Sequence, residues 1–244
     1  MKAVVQDAYG SAEVLELRDI DRPGIGDEEV LVRVRAAGVN PADWAIMSGL
    51  PYIARPVYGL RKPKNAVRGT DVAGTVEAIG NSVTRLQPAD EVFGWCSGLG
   101  GAFAEYAAVS EESLALKPAT LSFEEAAAVP MAGLVALQAV RDHGGVRAGQ
   151  KVLINGASGG IGTFAVQIAK ALGAEVTGVC STRNVEMVRS IGADHVIDYA
   201  REDFTKKDQR YDFILYNVAN HSLSELRGAL TPTGTLVPNG GGFD

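Results

Sequence analysis

The stretch 156-GASGGIG-162 carries the most chemical information in this sequence. It follows the apolar run 152–155 and opens a segment in which Ile161, Ala165, Ile168, Ala169 and Leu172 recur at helical spacing. The pattern is G-x-G-x-x-G with Ala157 in the first glycine's place. Small residues let a backbone approach a pyrophosphate, and the free N–H groups of a helix start, aided by its dipole, favour the negative charge. Gly156, Ala157, Ser158, Gly159, Gly160, Ile161 and Gly162 are therefore the expected cradle of a dinucleotide. A tight strand-to-helix turn without a ligand is the competing reading.

Which dinucleotide is decided at the end of the next strand. A carboxylate there would accept the ribose 2′-hydroxyl of NAD and repel a 2′-phosphate. The sequence has Ser181-Thr182-Arg183-Asn184, with no acid before Glu186. Ser181 can donate to a phosphate and Arg183 can pair with it, so NADPH is expected over NADH. The competing reading makes Arg183 a solvated residue at a helix start.

Metal chemistry needs about three converging His, Cys or carboxylate ligands. The histidines are His143, His195 and His221, all in the second half and none forming a ligand pair, and Cys96 and Cys180 stand far apart. No metal site is expected, and both cysteines read as small buried residues.

The elements that must position these residues fall into two regions. Runs such as 2–8, 13–20, 29–39, 72–80, 91–95, 103–109 and 114–117 predict strands, with a short helix after Asn40, where Pro41 suits a first turn. The span 48–69, rich in Pro, Gly and basic residues, reads as a long functional loop. Ser122 and Glu125 form a capping-box pattern, and Pro130 separates two helices. Beyond Lys151, strands near 151–155, 175–180, 194–198, 211–217 and 234–238 alternate with helices near 161–172, 184–191 and 222–230, the rhythm of a parallel sheet with crossover helices. The expected domains are 1–121 and 122–244, and a six-stranded doubly wound sheet would need one more strand than the chain holds, so it reads as cut short.

With 244 residues, 46% hydrophobic and 21% charged, the chain has an ordinary globular composition. A net charge of −6 offers no broad basic field, so neither nucleic acid nor an anionic membrane is an expected partner. No signal peptide or spanning segment is evident, and the expected location is cytoplasmic.

The sequence resembles the medium-chain dehydrogenase/reductase superfamily, in its zinc-free quinone oxidoreductase (zeta-crystallin-like) branch. The resemblance is carried by 33-RVRAAGVNPADW-44, 69-GTDVAGTVEAIG-80, 90-DEVFG-94, 126-AAAVPMAGLVALQA-139, 152-VLINGASGGIG-162 and 192-GADHVIDY-199. It implies an α/β two-domain fold, a GroES-like β-barrel domain followed by a Rossmann domain, with the active site between them. Where zinc relatives have Cys and a His-Glu pair, this chain has Asn40 and Thr70-Asp71. The implied activity is NADPH-dependent hydride transfer to a small-molecule quinone or enone.

The resemblance also places Ser181 at the 2′-phosphate, Asn184 where many relatives carry a Lys, Tyr199 near the phosphate-bearing ribose, and Asn217-Val218 near the nicotinamide ribose. Asn40 and Tyr52 would line the acceptor site and donate to a developing enolate, with Trp44 a further candidate and Asp43 an organiser. For Asn40 the alternative is a helix cap, and for Tyr52 an ordinary loop aromatic. Val135 stands where many relatives have a cofactor-contacting Thr. Two other functions compete: an NADPH-binding protein without turnover, and a truncated inactive fragment. Relatives dimerise through a last Rossmann strand that this chain lacks, so that dimer is not expected.

Overall fold

The computed structural model describes residues 1–96 and 100–239. The chain forms two compact units, Met1–Met131 and Ala132–Asp244. Among the described residues no helix is long and apolar enough to cross a membrane.

In the first unit β1 (Lys2–Gln6) pairs antiparallel with β2 (Leu15–Asp19). The strand β3 (Glu29–Gly38) leads into the helix α1 (Pro41–Ser48). A 3-10 turn at Tyr52–Ala54 runs into the short helix α2 (Arg55–Tyr58), so the expected loop over 48–69 holds two helical turns. After it come β4 (Asp71–Ile79), β5 (Glu91–Trp95), β6 (Tyr106–Ser110) and β7 (Leu114–Leu116). They form an antiparallel sheet of order β6-β3-β4-β5-β7. The expected strand at 103–109 begins only at Tyr106, because Phe103 and Ala104 turn towards β1, Phe103 O accepting from Val4 N–H.

Alternation sets the core: Val30 and Val32 of β3, Val72 and Val76 of β4, and Val92 of β5 are buried together. Each such side chain stabilises the fold by about 1.5–3 kcal/mol. The opposite face of β4 is covered as well. There α3 (Phe123–Ala127), started by the reciprocal Ser122–Glu125 hydrogen bonds, lays Ala126 and Ala127 on Ala73. That packing carries the first unit past the boundary expected at Leu121 to Met131. The helix α4 (Pro130–Leu137) follows and loosens into a π-helical turn at Gln138–His143, which the periodicity did not foreshadow.

The second unit alternates as expected. Its elements are β8 (Lys151–Asn155), α5 (Gly160–Ala171), β9 (Glu175–Cys180), α6 (Val185–Ser190), β10 (His195–Asp198), β11 (Tyr211–Tyr216), α7 (Leu223–Ala229) and β12 (Leu230–Pro238). The five strands are parallel in the order β10-β9-β8-β11-β12. Val152, Leu153 and Ile154 are wholly buried because helices cover both faces. Val152 and Ile154 pack with Ala165, Val166 and Ala169 of α5, whereas Leu153 packs with Phe204 and Leu226. This is a doubly wound Rossmann sheet, and its order reverses direction beside β8. The last strand starts at Leu230, earlier than expected, since Tyr211 of β11 already pairs with Leu230.

Candidate functional site

The glycine turn lies at the carboxy end of β8, at the switch point where doubly wound sheets bind ligands. Gly156 has φ +76°, a left-handed conformation natural to glycine. The N–H groups of Gly156 and Ala157 donate to Val179 O at 3.1 and 2.9 Å, which ties the turn to β9. The first helical bond of α5 is made by Thr163 N–H to Gly159 O at 2.9 Å. The N–H groups of Gly160, Ile161 and Gly162 precede it and have no intrahelical acceptor. A Cβ on Gly162 would stand 2.1 Å from Gly156 O, so α5 packs directly on the turn. One on Gly160 would meet only Ala132 Cβ, at 3.6 Å. The geometry is an open backbone cradle that fits a pyrophosphate.

The end of β9 is joined to this cradle by Asn184, whose Nδ2 donates to Ser158 Oγ at 3.0 Å and to Ser181 Oγ at 3.2 Å. Both hydroxyl oxygens accept from Asn184, so their own protons are directed elsewhere and can be donated. Asn184 is thus a strut between turn and strand, where the sequence reading had it only as a phosphate-side position. Arg183 is exposed beside it.

A carboxylate that the sequence reading missed lies one strand away. Asp198, at the end of β10 and in register with Cys180, accepts from Thr182 Oγ1 at 2.6 Å and from Ala200 N–H at 3.0 Å. The Thr182 hydrogen bond holds its carboxyl below the usual range. Its charge is engaged by these donors and by Arg201 at 3.5 Å, and it braces the 3-10 turn Thr182–Asn184. The acidic residue at the end of one strand was the available signal; only the parallel pairing of β9 and β10 brings it to 181–184. Tyr199 follows it with its side chain exposed.

Four amides gather at the carboxy ends of β8, β11 and β12. Asn217 donates to Asn155 O at 3.0 Å, and Asn239 donates to Asn217 Oδ1 at 2.9 Å. Asn155 donates to Val218 O and Asn220 Oδ1, each at 3.3 Å. The segment containing Asn217 and Val218 is thereby fixed at the open end of the sheet, with Val218 exposed. The buried Asn155 was not among the expected site residues, although a polar residue closing an apolar strand marked it.

In the first unit, α1 sets out Asn40, Asp43 and Trp44. Asn40 N–H donates to Asp43 Oδ2 at 2.8 Å, and Asp43 N–H donates to Asn40 O at 3.0 Å. Asp43 therefore closes the helix start. The Asn40 amide turns instead to Asp71, donating to its Oδ2 at 3.1 Å. The same oxygen accepts Met131 N–H at 3.1 Å. Burial pushes the carboxyls of both Asp43 and Asp71 up, and the nearby buried Arg68 guanidinium opposes this at Asp43. Cys96 is buried and its thiol is pushed up to about 12, chiefly by burial. Tyr52 and Trp44 are exposed.

Comparison with known proteins agrees with this architecture. Residues 26–119 match the alcohol dehydrogenase GroES-like domain, and residues 160–244 match the family described as zinc-binding dehydrogenase. The chain is 33% identical to a chloroplastic quinone-oxidoreductase homolog of Spinacia oleracea, over 97% of this chain and 74% of that protein. The chain belongs to the medium-chain dehydrogenase/reductase superfamily, in its quinone oxidoreductase-like branch. The human quinone oxidoreductase is 34% identical over 97% of this chain and 72% of its own. The solved quinone oxidoreductase from Coxiella burnetii superposes with a TM-score of 0.87 at 31% identity, covering 98% of this chain and 75% of that one. The CurK enoyl reductase gives 0.88 at 28% identity, covering 97% and 73%. The chain is thus an oxidoreductase of the quinone and enone reductase kind.

One of the two matched families is described as zinc-binding dehydrogenase. Among the described residues no three His, Cys, Asp or Glu side chains come together as ligands. Asn40 donates to Asp71 where a ligand would have to face a metal, and the protonated Cys96 thiol is buried.

Proposed function

We propose that this chain is an NADPH-dependent, zinc-independent reductase of quinones or α,β-unsaturated carbonyls. The observation that carries the cofactor choice is the open cradle joined through Asn184 to a Ser181–Arg183 corner, beside which the Asp198 carboxylate is already engaged. Among the relatives are proteins named for quinones and, in Solanum lycopersicum, a 2-methylene-furan-3-one reductase.

When bound, NADPH supplies a hydride from its nicotinamide C4, two electrons that solvent completes with a proton. Gly160, Ile161 and Gly162 present N–H groups to the pyrophosphate, and Gly156 and Ala157 let it approach. Ser158 and Ser181 donate hydroxyl protons towards the 2′-phosphate, and Arg183 brings the positive charge. Tyr199 borders the adenosine ribose, and Asn217 with Val218 borders the nicotinamide ribose. In the first unit the Tyr52 phenol is the free donor for a developing enolate oxygen. Asn40, whose amide donates to Asp71 and Thr70, borders the same site, and Asp43 keeps α1 in place. We assign substrate binding to the GroES-like domain and cofactor binding to the Rossmann domain.

Fluorescence titration should show NADPH binding tighter than NADH. Arg183→Ala should raise the NADPH Kd about tenfold, the size of one charge-assisted contact, and leave NADH within twofold. Equal affinity for the two cofactors, unchanged by the substitution, would sink the phosphate assignment. Val135, which lacks a donor, supports a second reading, a cofactor-binding protein without turnover. NADPH binding with no oxidation by any quinone or enone would select it.

A further inference from the structure

The span 48–69 contains Arg55, Arg61, Lys62, Lys64 and Arg68 and neither Asp nor Glu. Within it one cation, Arg55, lies against two aromatic rings. The Arg55 guanidinium lies 4.7 Å from the Tyr9 ring centroid and 4.5 Å from that of Tyr52. Arg55 Nε donates to Gly49 O at 3.1 Å, which fixes the plane of the fork. Tyr9 is held in turn, its hydroxyl donating to Gly59 O at 2.6 Å. Gly49, with φ +68°, lies so close that an added Cβ would stand 2.7 Å from the Tyr9 ring. Anchored Tyr9 and pinned Arg55 thus support the Tyr52 ring. Tyr52 itself is 69% exposed, and Ile53, Val57 and Leu60 of the same span are exposed as well.

We propose that Tyr9, Arg55 and Tyr52 form a stacked platform whose open face selects planar aromatic acceptors over acyclic ones. Arg55 is the positioning residue, acting through Tyr52. This rests on the reductase reading above and names the acceptor class for it. A cation on one face of an aromatic ring restrains the ring's tilt, and a flat acceptor stacks on the other face with full overlap. An acyclic enone covers little of the ring and gains little from its being held still.

The test compares NADPH oxidation by 1,4-naphthoquinone with that by 3-penten-2-one, read as the ratio of the two kcat/KM values. Tyr52→Phe keeps the ring and should leave the ratio within twofold, even where loss of the phenol lowers both rates. Tyr52→Leu and Arg55→Ala should each lower the ratio about three- to tenfold, mainly through the naphthoquinone KM. An unchanged ratio in Tyr52→Leu, with native circular dichroism, overturns the platform. Quenching of intrinsic fluorescence by 1,4-naphthoquinone in the cofactor-free protein separates the two ideas. Binding weakened in Tyr52→Leu without any acceptor being reduced keeps the platform and removes the reductase; reduction of both acceptors with no such weakening removes the platform alone.

Discussion

Gly162→Ala is expected to weaken NADPH binding about a hundredfold and to destabilise the second unit, whereas Gly160→Ala should fold normally and bind about tenfold more weakly than the parent. The contrast follows from where each new Cβ would fall. At Gly162 it would stand 2.1 Å from Gly156 O and 2.8 Å from Ala157 Cα, both backbone atoms of the turn. Neither can rotate away, so α5 must lift off the turn and the three leading N–H groups lose their common aim. Overpacking of this kind costs about 1–3 kcal/mol, and misdirected donors should raise the NADPH Kd about a hundredfold. At Gly160 the nearest atom would be 3.6 Å away, which is ordinary contact. Its methyl group would instead occupy the surface a pyrophosphate must approach, and a tenfold loss of affinity at unchanged thermal midpoint is expected. Thermal unfolding by circular dichroism and NADPH titration of both variants check this. Full affinity in Gly160→Ala would remove the cradle as the pyrophosphate site.

This cradle was legible in the sequence because its physics is local. A buried strand, small residues and an amphipathic helix follow one another within a few turns of chain, and each constrains the next. The sheet itself was legible for the same reason: β8, β9 and β11 are short apolar runs that alternate with helical segments along the chain. Long-range pairing hid the rest. Asp198 reaches Thr182 only because β10 lies parallel to β9, and sixteen residues of sequence separate them. The strut role of Asn184 depends on where α5 begins relative to β9. The span 48–69 read as a long functional loop because it is rich in Pro, Gly and basic residues. Its order comes from Tyr9, far upstream, holding Arg55 and Gly59. The orientation of Asn40 was not legible, since the partner that turns its amide, Asp71, lies on another strand.

Asp71 shows how stability and site geometry are coupled in the first unit. It is 1% exposed, and its Oδ2 accepts from both Asn40 and Met131, while Oδ1 has no partner among the described residues. Asp71→Ala strips the acceptor from a buried backbone donor and frees the Asn40 amide, a loss of about 2–3 kcal/mol at pH 5. Asp71→Asn keeps an oxygen for those donors and should stay within about 1 kcal/mol of the parent at pH 5. The two also differ from the parent in pH dependence. Burial, reinforced by neighbouring Asp43, raises the Asp71 carboxyl in the folded chain, so the folded state holds this proton more tightly than the unfolded one. Its favourable contribution is full below the ordinary carboxylate pKa of about 4 and is lost as pH rises through the higher folded-state value. The stability of Asp71→Asn relative to the parent should therefore improve between pH 4 and pH 7, measured by urea unfolding. A flat difference across that range would mean that Asp71 is not penalised by burial. Turnover separates the structural part from the functional one: Asp71→Asn should retain most of the enone reduction rate, and Asp71→Ala should lose about tenfold in kcat as Asn40 swings free of its anchor.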